Sequence, residues 1–289
     1  MTAIFPESPD DPDIPPDVPV ARPIAREFVS PPPSSAPDLL LLSETRRSAW
    51  ADIGLLLLFL FAFEFVASAV IFFAAELILG EPISSTQAED SPFRQTLLLP
   101  GIALRATGAI VIIAFLVRRR GLSARSIGLS WSGTLLNMVI GLAALAALYG
   151  LILIATPFIW LWPELMKEME ESARRIMALV PKLRPAEFVP LTIMIGIYEE
   201  LVFRGFLMTR LRRAMGGWTG AVILSTAVFT SLHAFDQTWS ALIFVALLSF
   251  VFSLVTIWRR SIIPAVVAHA LFDLIQLLLL RWSAGDAWK

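Results

Sequence analysis

Long apolar runs alternate with short polar breaks from Ile53 towards the carboxyl terminus. A helix needs about 20 apolar residues to cross a bilayer whose hydrocarbon core is about 30 Å thick. Seven runs come close to this length or exceed it: residues 53–79, 97–117, 134–159, 188–209, 219–235, 240–258 and 262–281. The pattern therefore predicts an all-α fold, a polytopic membrane helical bundle of about seven spans.

Residues 164–184 break this pattern because charged residues recur throughout the segment. They are Glu164, Lys167, Glu168, Glu170, Glu171, Arg174, Arg175 and Lys182. A segment this charged does not cross a bilayer, but an amphipathic helix with such a polar face can lie in the membrane interface. We expect an interfacial amphipathic helix between the third and fourth spans.

Residues 1–45 have a different character from the rest of the chain. Prolines recur between acidic residues, and little apolar surface is available for burial. Such a composition is typical of a disordered, Pro-rich tail. A basic start followed by an apolar run is absent, so the segment does not resemble a signal peptide. The sequence thus predicts a tail (1–45), an N-terminal membrane region with the interfacial helix (46–185) and a C-terminal membrane core (186–282).

Composition supports a membrane location. Hydrophobic residues make up 57% of the 289 residues and charged residues 16%, against about 45–50% and about 25% in soluble proteins. The formal net charge is −1 and the basic residues form no single stripe, so no nucleic-acid partner is expected. The chain has no cysteine, which excludes disulfides, cysteine nucleophiles and thiolate metal sites.

Tryptophan and arginine positions agree with these spans and orient them. Eight of the tryptophans lie at or beside proposed span ends, where the indole ring is favoured at the lipid headgroups. Arginine clusters fall in alternate connections, at Arg46/Arg47, Arg118–Arg120, Arg210–Arg213 and Arg259/Arg260. Because basic loops stay in the cytoplasm, we expect a multi-pass protein of the cell membrane with a cytoplasmic amino terminus.

Several ionisable residues lie inside the proposed spans. A charge at the centre of a membrane helix costs at least about 2.5–3.5 kcal/mol, so its presence indicates a function. The fourth span carries Glu199, Glu200 and Arg204. The only two histidines of the chain lie in the fifth and seventh spans, at His233 and His269. Histidine and buried carboxylates are the usual general acids and bases near neutral pH.

The spacing of these residues predicts one common site. Residues four apart share a helix face, so Glu200 can pair with Arg204 and His269 with Asp273, while Phe229 lies beneath His233. At 1.5 Å per residue, the key residues of the three spans lie roughly 13–20 Å from the cytoplasmic arginine clusters. These depths agree within about one helical turn, so the three helices can converge.

The same residues form three motifs. They read Glu-Glu-Leu-Val-Phe-Arg at 199–204, Phe-Thr-Ser-Leu-His at 229–233 and His-Ala-Leu-Phe-Asp at 269–273. The chain here resembles the CPBP (CAAX protease and bacteriocin-processing) family, also called Abi, of intramembrane glutamic endopeptidases. These proteins carry EExxxR, FxxxH and HxxxN or HxxxD in this order. The resemblance covers about residues 188–281.

The resemblance implies hydrolysis of peptide bonds by a glutamate-activated water. Glu199 would be the general base, and His233 would hold and polarise the water. His269 would stabilise the oxyanion, with Asp273 beside it. The residues Glu200, Arg204 and Phe229 would surround the catalytic side chains and fix their geometry. The implied partners are a membrane-associated peptide or protein substrate and the lipid bilayer.

Asp273 departs from one branch of that family. Prenyl-protein members carry asparagine at this position, and asparagine can donate a hydrogen bond to an oxyanion, whereas an ionised aspartate cannot. Two interpretations follow. Either Asp273 is protonated, or it orients His269 and favours the charged imidazolium, which alone then donates to the oxyanion. We prefer the second, because a carboxylate commonly orients a catalytic imidazole.

Three other functions fit the same polar residues. Histidines and carboxylates can hold a divalent metal such as zinc, although the chain has no HExxH motif and we expect no cofactor. Some members of the family that the chain resembles are linked to bacteriocin immunity or partner binding, so a non-catalytic membrane protein is another hypothesis. Buried glutamate and histidine also build proton relays in transporters, although we see no internal repeat here.

Overall fold

The computed structural model describes residues 45–79, 92–180, 183–235 and 237–285. Every regular element in these ranges is helical, as the apolar runs predicted. The helices are α1 (Arg46–Leu79), α2 (Pro92–Arg119), α3 (Thr134–Trp160), α4 (Pro163–Leu179), α5 (Pro185–Glu200), α6 (Met208–Met215), α7 (Trp218–Leu232), α8 (Trp239–Arg259) and α9 (Ile263–Ala284). The proposed tail, apart from Thr45, lies outside the described residues.

Within the described residues, four helices are long and apolar enough to cross a membrane, namely Leu99–Arg119 within α2 and the whole of α3, α8 and α9. They confirm four of the predicted spans. The fifth corresponds to α7, a shorter apolar helix. The fourth lies in the continuous helix from α5 to α6, which its own charged residues make less apolar. The first lies in α1, whose side chains are described only in part. The count of seven spans is therefore not confirmed.

The distribution of polar and apolar side chains is that of a membrane protein. Large apolar residues such as Phe61, Phe65 and Leu153 are mainly exposed. Several charged side chains are buried instead, and Glu200 and Arg204 are completely enclosed. Lipid solvates apolar surface and penalises charge, so this arrangement is stable in a bilayer.

Features of the sequence that predicted membrane interfaces lie at the helix ends. The indoles of Trp131, Trp160, Trp162, Trp239, Trp258 and Trp282 are between 63% and 85% exposed. Basic segments also meet one another: Arg120 makes a salt bridge of 2.8 Å with buried Asp52, and Gly216 packs against Arg46. The start of α1 and the ends of α2 and α6 therefore lie at the same end of the structure.

The helix that carries the two adjacent glutamates changes its winding directly after them. It begins at Pro185 and is capped by Glu187, whose Oε2 accepts from the backbone N–H of Arg184 at 2.6 Å. A π-helical segment, Leu201–Leu207, then joins α5 to α6, which ends at Gly216 in the left-handed conformation (φ 81°). Such wider π-helical turns are frequent at functional sites.

Two glycines let neighbouring helices approach α9 closely. A Cβ on Gly141 of α3 would lie 2.6 Å from the backbone oxygen of Pro264. A Cβ on Gly196 of α5 would lie 3.2 Å from the Cβ of Ala270. Small residues at such crossings are the usual means of close helix packing in membranes. Helix α9 is thereby fixed between α3 and α5, next to Glu199 and Glu200.

The predicted amphipathic segment forms α4, which contacts the start of α8. Glu171 pairs with Arg174 and Arg175 on the exposed face, and hydrogen bonds from Arg175 and Arg174 lower the pKa of Glu171. On the other side, the Ser172 hydroxyl bonds the Gln237 side chain. Glu168 Oε2 accepts from the backbone N–H of Ser240 at 3.1 Å. Helix α4 therefore fixes the position of Gln237 and of the first turn of α8, which follow His233 in the chain.

Replacing Glu168 by alanine is expected to destabilise the protein by about 1 kcal/mol, because the first turn of α8 loses a capping acceptor. A lowered melting temperature in detergent would show the effect. Exposed Glu170 is the matched control, because the contact that it makes is a 3.9 Å pair with Arg174 on its own helix. If the Glu168 and Glu170 variants melt alike, Glu168 does not cap α8.

Candidate active site

The three motif segments meet in the structure. Helix α5 ends with Glu199 and Glu200, α7 ends beside His233, and His269 lies on α9. The Glu200 carboxylate contacts the imidazole of His269, 69 residues away in the chain. The convergence that the similar depths predicted is therefore observed for the fourth and seventh spans, and the fifth joins them through Phe229.

Glu200 is the centre of a buried network. Its Oε1 accepts from Arg204 Nη1 at 2.8 Å and from His269 Nδ1 at 2.7 Å. A carboxylate only accepts, so Nδ1 of His269 carries a proton and Nε2 points away from Glu200. Glu200 and Arg204 are both fully buried. The pairing of Glu200 with Arg204 that their spacing predicted is thus observed.

Arg204 lies between two aromatic rings. Its guanidinium carbon is 4.5 Å from the centre of the Phe229 ring and 5.6 Å from that of Phe252. Its Nε and Nη2 have no hydrogen-bond partner among the described residues, so the aromatic faces provide its remaining stabilisation. Phe229 therefore supports the cation and does not merely lie under His233.

Glu199 is held differently from its neighbour. Its Oε1 accepts from the phenol of Tyr198 at 3.0 Å. Its Oε2 has no hydrogen-bond partner within the described part of the chain and lies 3.8 Å from His269 Nε2. The side chain is 14% exposed, whereas that of Glu200 is completely buried. Glu199 thus offers a carboxylate oxygen to a small polar molecule in the site.

Asp273 lies on the more open side of the same imidazole. Its Oδ2 is 3.5 Å from His269 Nε2, and its side chain is 28% exposed. The imidazole is oriented by the hydrogen bond that its Nδ1 donates to Glu200, and not by Asp273. Glu200 reaches Nδ1 from the neighbouring helix. Asp273 therefore faces the nitrogen that is directed towards Glu199.

His233 follows α7 in a short 3-10 turn. Its Nδ1 lies 2.9 Å from the backbone oxygen of Phe229. A carbonyl oxygen only accepts, so this nitrogen is the donor and Nε2 is left for another partner. The Phe229 ring lies 4.6 Å from the ring of His233 and 6.2 Å from that of His269, measured between centres. One phenylalanine thereby contacts both histidines.

Sequence reasoning missed two residues of this site. Tyr198 bonds Glu199, and Phe252 of α8 stacks on His269 with ring centres 5.5 Å apart. Tyr198 carried a signal, because the chain has only two tyrosines and one of them precedes the glutamate pair. Phe252 carried none, since it is one of 20 phenylalanines.

Metal binding is one of the alternative functions predicted for these side chains. The described residues contain no group of three or more His, Cys, Asp or Glu side chains arranged to hold a metal ion. Glu200, the carboxylate nearest to His269, already accepts from Arg204. The roles of Glu199, His233, His269 and Asp273 stay predictions at this point.

Comparison with known proteins identifies the region that holds the site. Residues 181–275 match the family model described as "Type II CAAX prenyl endopeptidase Rce1-like", and this match covers about a third of the 289 residues. No curated protein and no solved structure matches the chain. All three motifs fall within the matched residues. The resemblance that the motifs predicted is therefore confirmed for residues 181–275, which are similar to the Rce1-like family of the CPBP proteins.

Proposed function

We propose that this protein is an intramembrane endopeptidase that cleaves membrane-associated peptides or proteins with a water activated by Glu199. The observation that carries the proposal is the contrast between the two adjacent glutamates. Glu200 is fully buried and accepts from Arg204 and His269. Each of the two carboxylates has one oxygen, Oε2, without a hydrogen-bond partner among the described residues. The side chain of Glu199 is partly exposed, however, and its free oxygen lies 3.8 Å from His269 Nε2, so a water molecule can reach it more readily than the fully enclosed oxygen of Glu200.

In the proposed reaction, water bound at Glu199 Oε2 attacks the carbonyl carbon of the peptide bond. Glu199 takes one proton from this water, and the electron pair of the C=O bond moves to its oxygen. When the tetrahedral intermediate collapses, the C–N bond breaks and Glu199 passes the proton to the leaving nitrogen. The products are a carboxyl group and an amine, and Glu199 is a carboxylate again.

The histidines have separate places in this mechanism. His269, with Nδ1 donating to Glu200, carries a second proton on Nε2 and donates it in a hydrogen bond to the oxyanion. This imidazolium lies among three carboxylates, which favour its charge. His233 donates Nδ1–H to Phe229, so its Nε2 can accept a hydrogen from the attacking water and orient it.

Asp273 lies beside Nε2 of His269, on the more exposed side of the imidazole. We expect Asp273→Asn to keep activity within about tenfold of wild type, because an amide can itself donate to the oxyanion. Asp273→Leu should lower kcat about 10²-fold, because His269 then lacks one of the carboxylates that favour its charge and its contact with the oxyanion is weakened. Steady-state kinetics on one cleaved peptide measure both. Equal kcat for wild type and the leucine variant would remove Asp273 from the mechanism.

The direct test is cleavage of a library of lipid-anchored peptides by the purified full chain in lipid nanodiscs, with products identified by mass spectrometry. Wild type should release defined fragments, and Glu199→Gln should release none of them. Activity should persist in a strong chelator of divalent metals. Loss of cleavage in the chelator, restored by zinc, would favour metal-dependent proteolysis. Absence of any cleavage would favour a non-catalytic role.

The proposed location is the cell membrane, with a cytoplasmic amino terminus. Support comes from the gathering of basic segments at one end of the structure, where Arg120 pairs with Asp52 and Arg46 meets Gly216. The positive-inside rule places such an end in the cytoplasm. The division into a tail, an N-terminal membrane region and a catalytic core from residue 186 stays part of this proposal.

A further inference from the structure

A second polar pair lies beyond the catalytic residues on the same helices. Gln276 of α9 donates from Nε2 to the Tyr149 hydroxyl of α3 at 3.4 Å. The Tyr149 ring also packs against Phe272, with centres 5.6 Å apart. Neither Tyr149 nor Gln276 belongs to the three motifs, and both lie outside the matched residues 181–275. Their contact thus has no place yet in the proposed mechanism.

Gln276 continues the row that begins at the site. His269, Asp273 and Gln276 are spaced four and three residues apart, so they share one face of α9. Asp273 is 28% exposed, and both Gln276 and Tyr149 are partly exposed. The row is therefore accessible from Asp273 to the amide of Gln276, whereas the imidazole of His269 is buried at its inner end.

The chemistry of the pair matches a peptide backbone. A glutamine side chain has two N–H donors and one acceptor oxygen, and a phenol can donate and accept. One N–H of Gln276 is used on Tyr149, which leaves a donor and an acceptor of the amide and the phenolic hydrogen. A main-chain amide offers the complementary acceptor and donor. The hydrogen bond between Gln276 and Tyr149 is long at 3.4 Å and therefore weak. Little binding free energy is lost when a substrate replaces it.

The distance along the helix sets the substrate position. Seven residues separate His269 from Gln276, or about 10 Å at 1.5 Å per residue. An extended peptide advances about 3.3–3.6 Å per residue. A substrate whose cleaved bond lies at His269 and which follows α9 therefore reaches Gln276 about three residues further on.

We infer that Tyr149 and Gln276 form a substrate-binding subsite, which bonds the substrate main chain about three residues from the cleaved bond, on the partly exposed surface where α3 meets α9. This subsite rests on the proposed peptidase function and deepens it. It positions the substrate and does not take part in bond breaking. Its loss should therefore raise KM and leave kcat close to that of wild type.

The test uses one lipid-anchored peptide that wild type cleaves, and a set in which each amide within five residues of the cleaved bond is replaced by an ester. The ester removes an N–H and weakens the carbonyl acceptor. In wild type, the ester at about the third residue on one side should raise KM about three- to tenfold, the effect of one hydrogen bond. Gln276→Leu should raise KM similarly and make the enzyme insensitive to that same ester.

Controls separate this subsite from a structural role. Tyr149→Phe keeps the packing on Phe272 and should also raise KM. Thr156→Val removes a hydroxyl further along α3 that bonds the Ile152 backbone, and it should behave as wild type. If Gln276→Leu lowers activity equally for all esters, or leaves every KM unchanged, the subsite is overturned while the peptidase function stands. If wild type cleaves no peptide of the library, the peptidase function itself fails and the subsite with it.

Discussion

Replacing Glu199 by glutamine is expected to lower kcat for peptide hydrolysis by about 10⁴-fold, the upper end of what general-base catalysis contributes. The amide has nearly the shape of the carboxylate and can still accept from Tyr198 at the position of Oε1, but it cannot take a proton from water. Single-turnover cleavage of a lipid-anchored peptide, followed by mass spectrometry of the products, measures the loss. Peptide binding should be retained, because the charge removed is not a substrate contact in the proposed mechanism.

The neighbouring tyrosine gives the matched control for this result. Tyr198→Phe removes the donor to Glu199 but keeps the base, so kcat should fall by only about tenfold. Similar losses for the two variants would show that the site tolerates the absence of a base. Full activity of Glu199→Gln would contradict the mechanism outright and move the search to Glu200 or Asp273.

Much of this fold could be predicted because membrane helices are specified by length and composition. The runs 134–159, 240–258 and 262–281 match α3, α8 and α9 within a few residues. The predicted span 219–235 was too long, since α7 ends at Leu232 and the chain turns at His233. An apolar sequence gives no sign of that turn, because it is held by side-chain and backbone bonds beyond the run.

The site could be predicted in part, for the same kind of reason. Local spacing correctly pairs Glu200 with Arg204, because residues four apart meet on one helix. The bond between Glu200 and His269 joins different helices, and no local spacing contains it. The π-helical segment after Glu200 and the stacking of Phe252 likewise depend on tertiary packing. The sequence therefore predicts which residues carry the chemistry, and the structure shows which nitrogen and oxygen atoms face one another.

Replacing Arg204 by methionine is expected to destabilise the protein by about 3–5 kcal/mol, because the buried Glu200 charge then lacks its guanidinium. The cost is large because the pair is fully buried beside aromatic rings, where water cannot replace the lost donor. Thermal unfolding in detergent, together with the yield of monodisperse protein, measures it. The exposed pair Glu171–Arg175 has the same spacing on α4, and Arg175→Met should leave the melting temperature unchanged, because water solvates both groups.

A double variant separates folding from catalysis at this pair. Glu200→Leu with Arg204→Met removes both buried charges, and replacing a buried ion pair by apolar residues is often nearly neutral. We expect its melting temperature to return close to that of wild type. Hydrolysis should stay at the level of Glu199→Gln, because His269 Nδ1 then has no acceptor and the imidazole loses both its orientation and the charge that favours its second proton. A stable double variant with wild-type kcat would show that Glu200 and Arg204 serve the fold alone. A double variant as unstable as Arg204→Met would instead show that the aromatic rings of Phe229 and Phe252 require the cation between them.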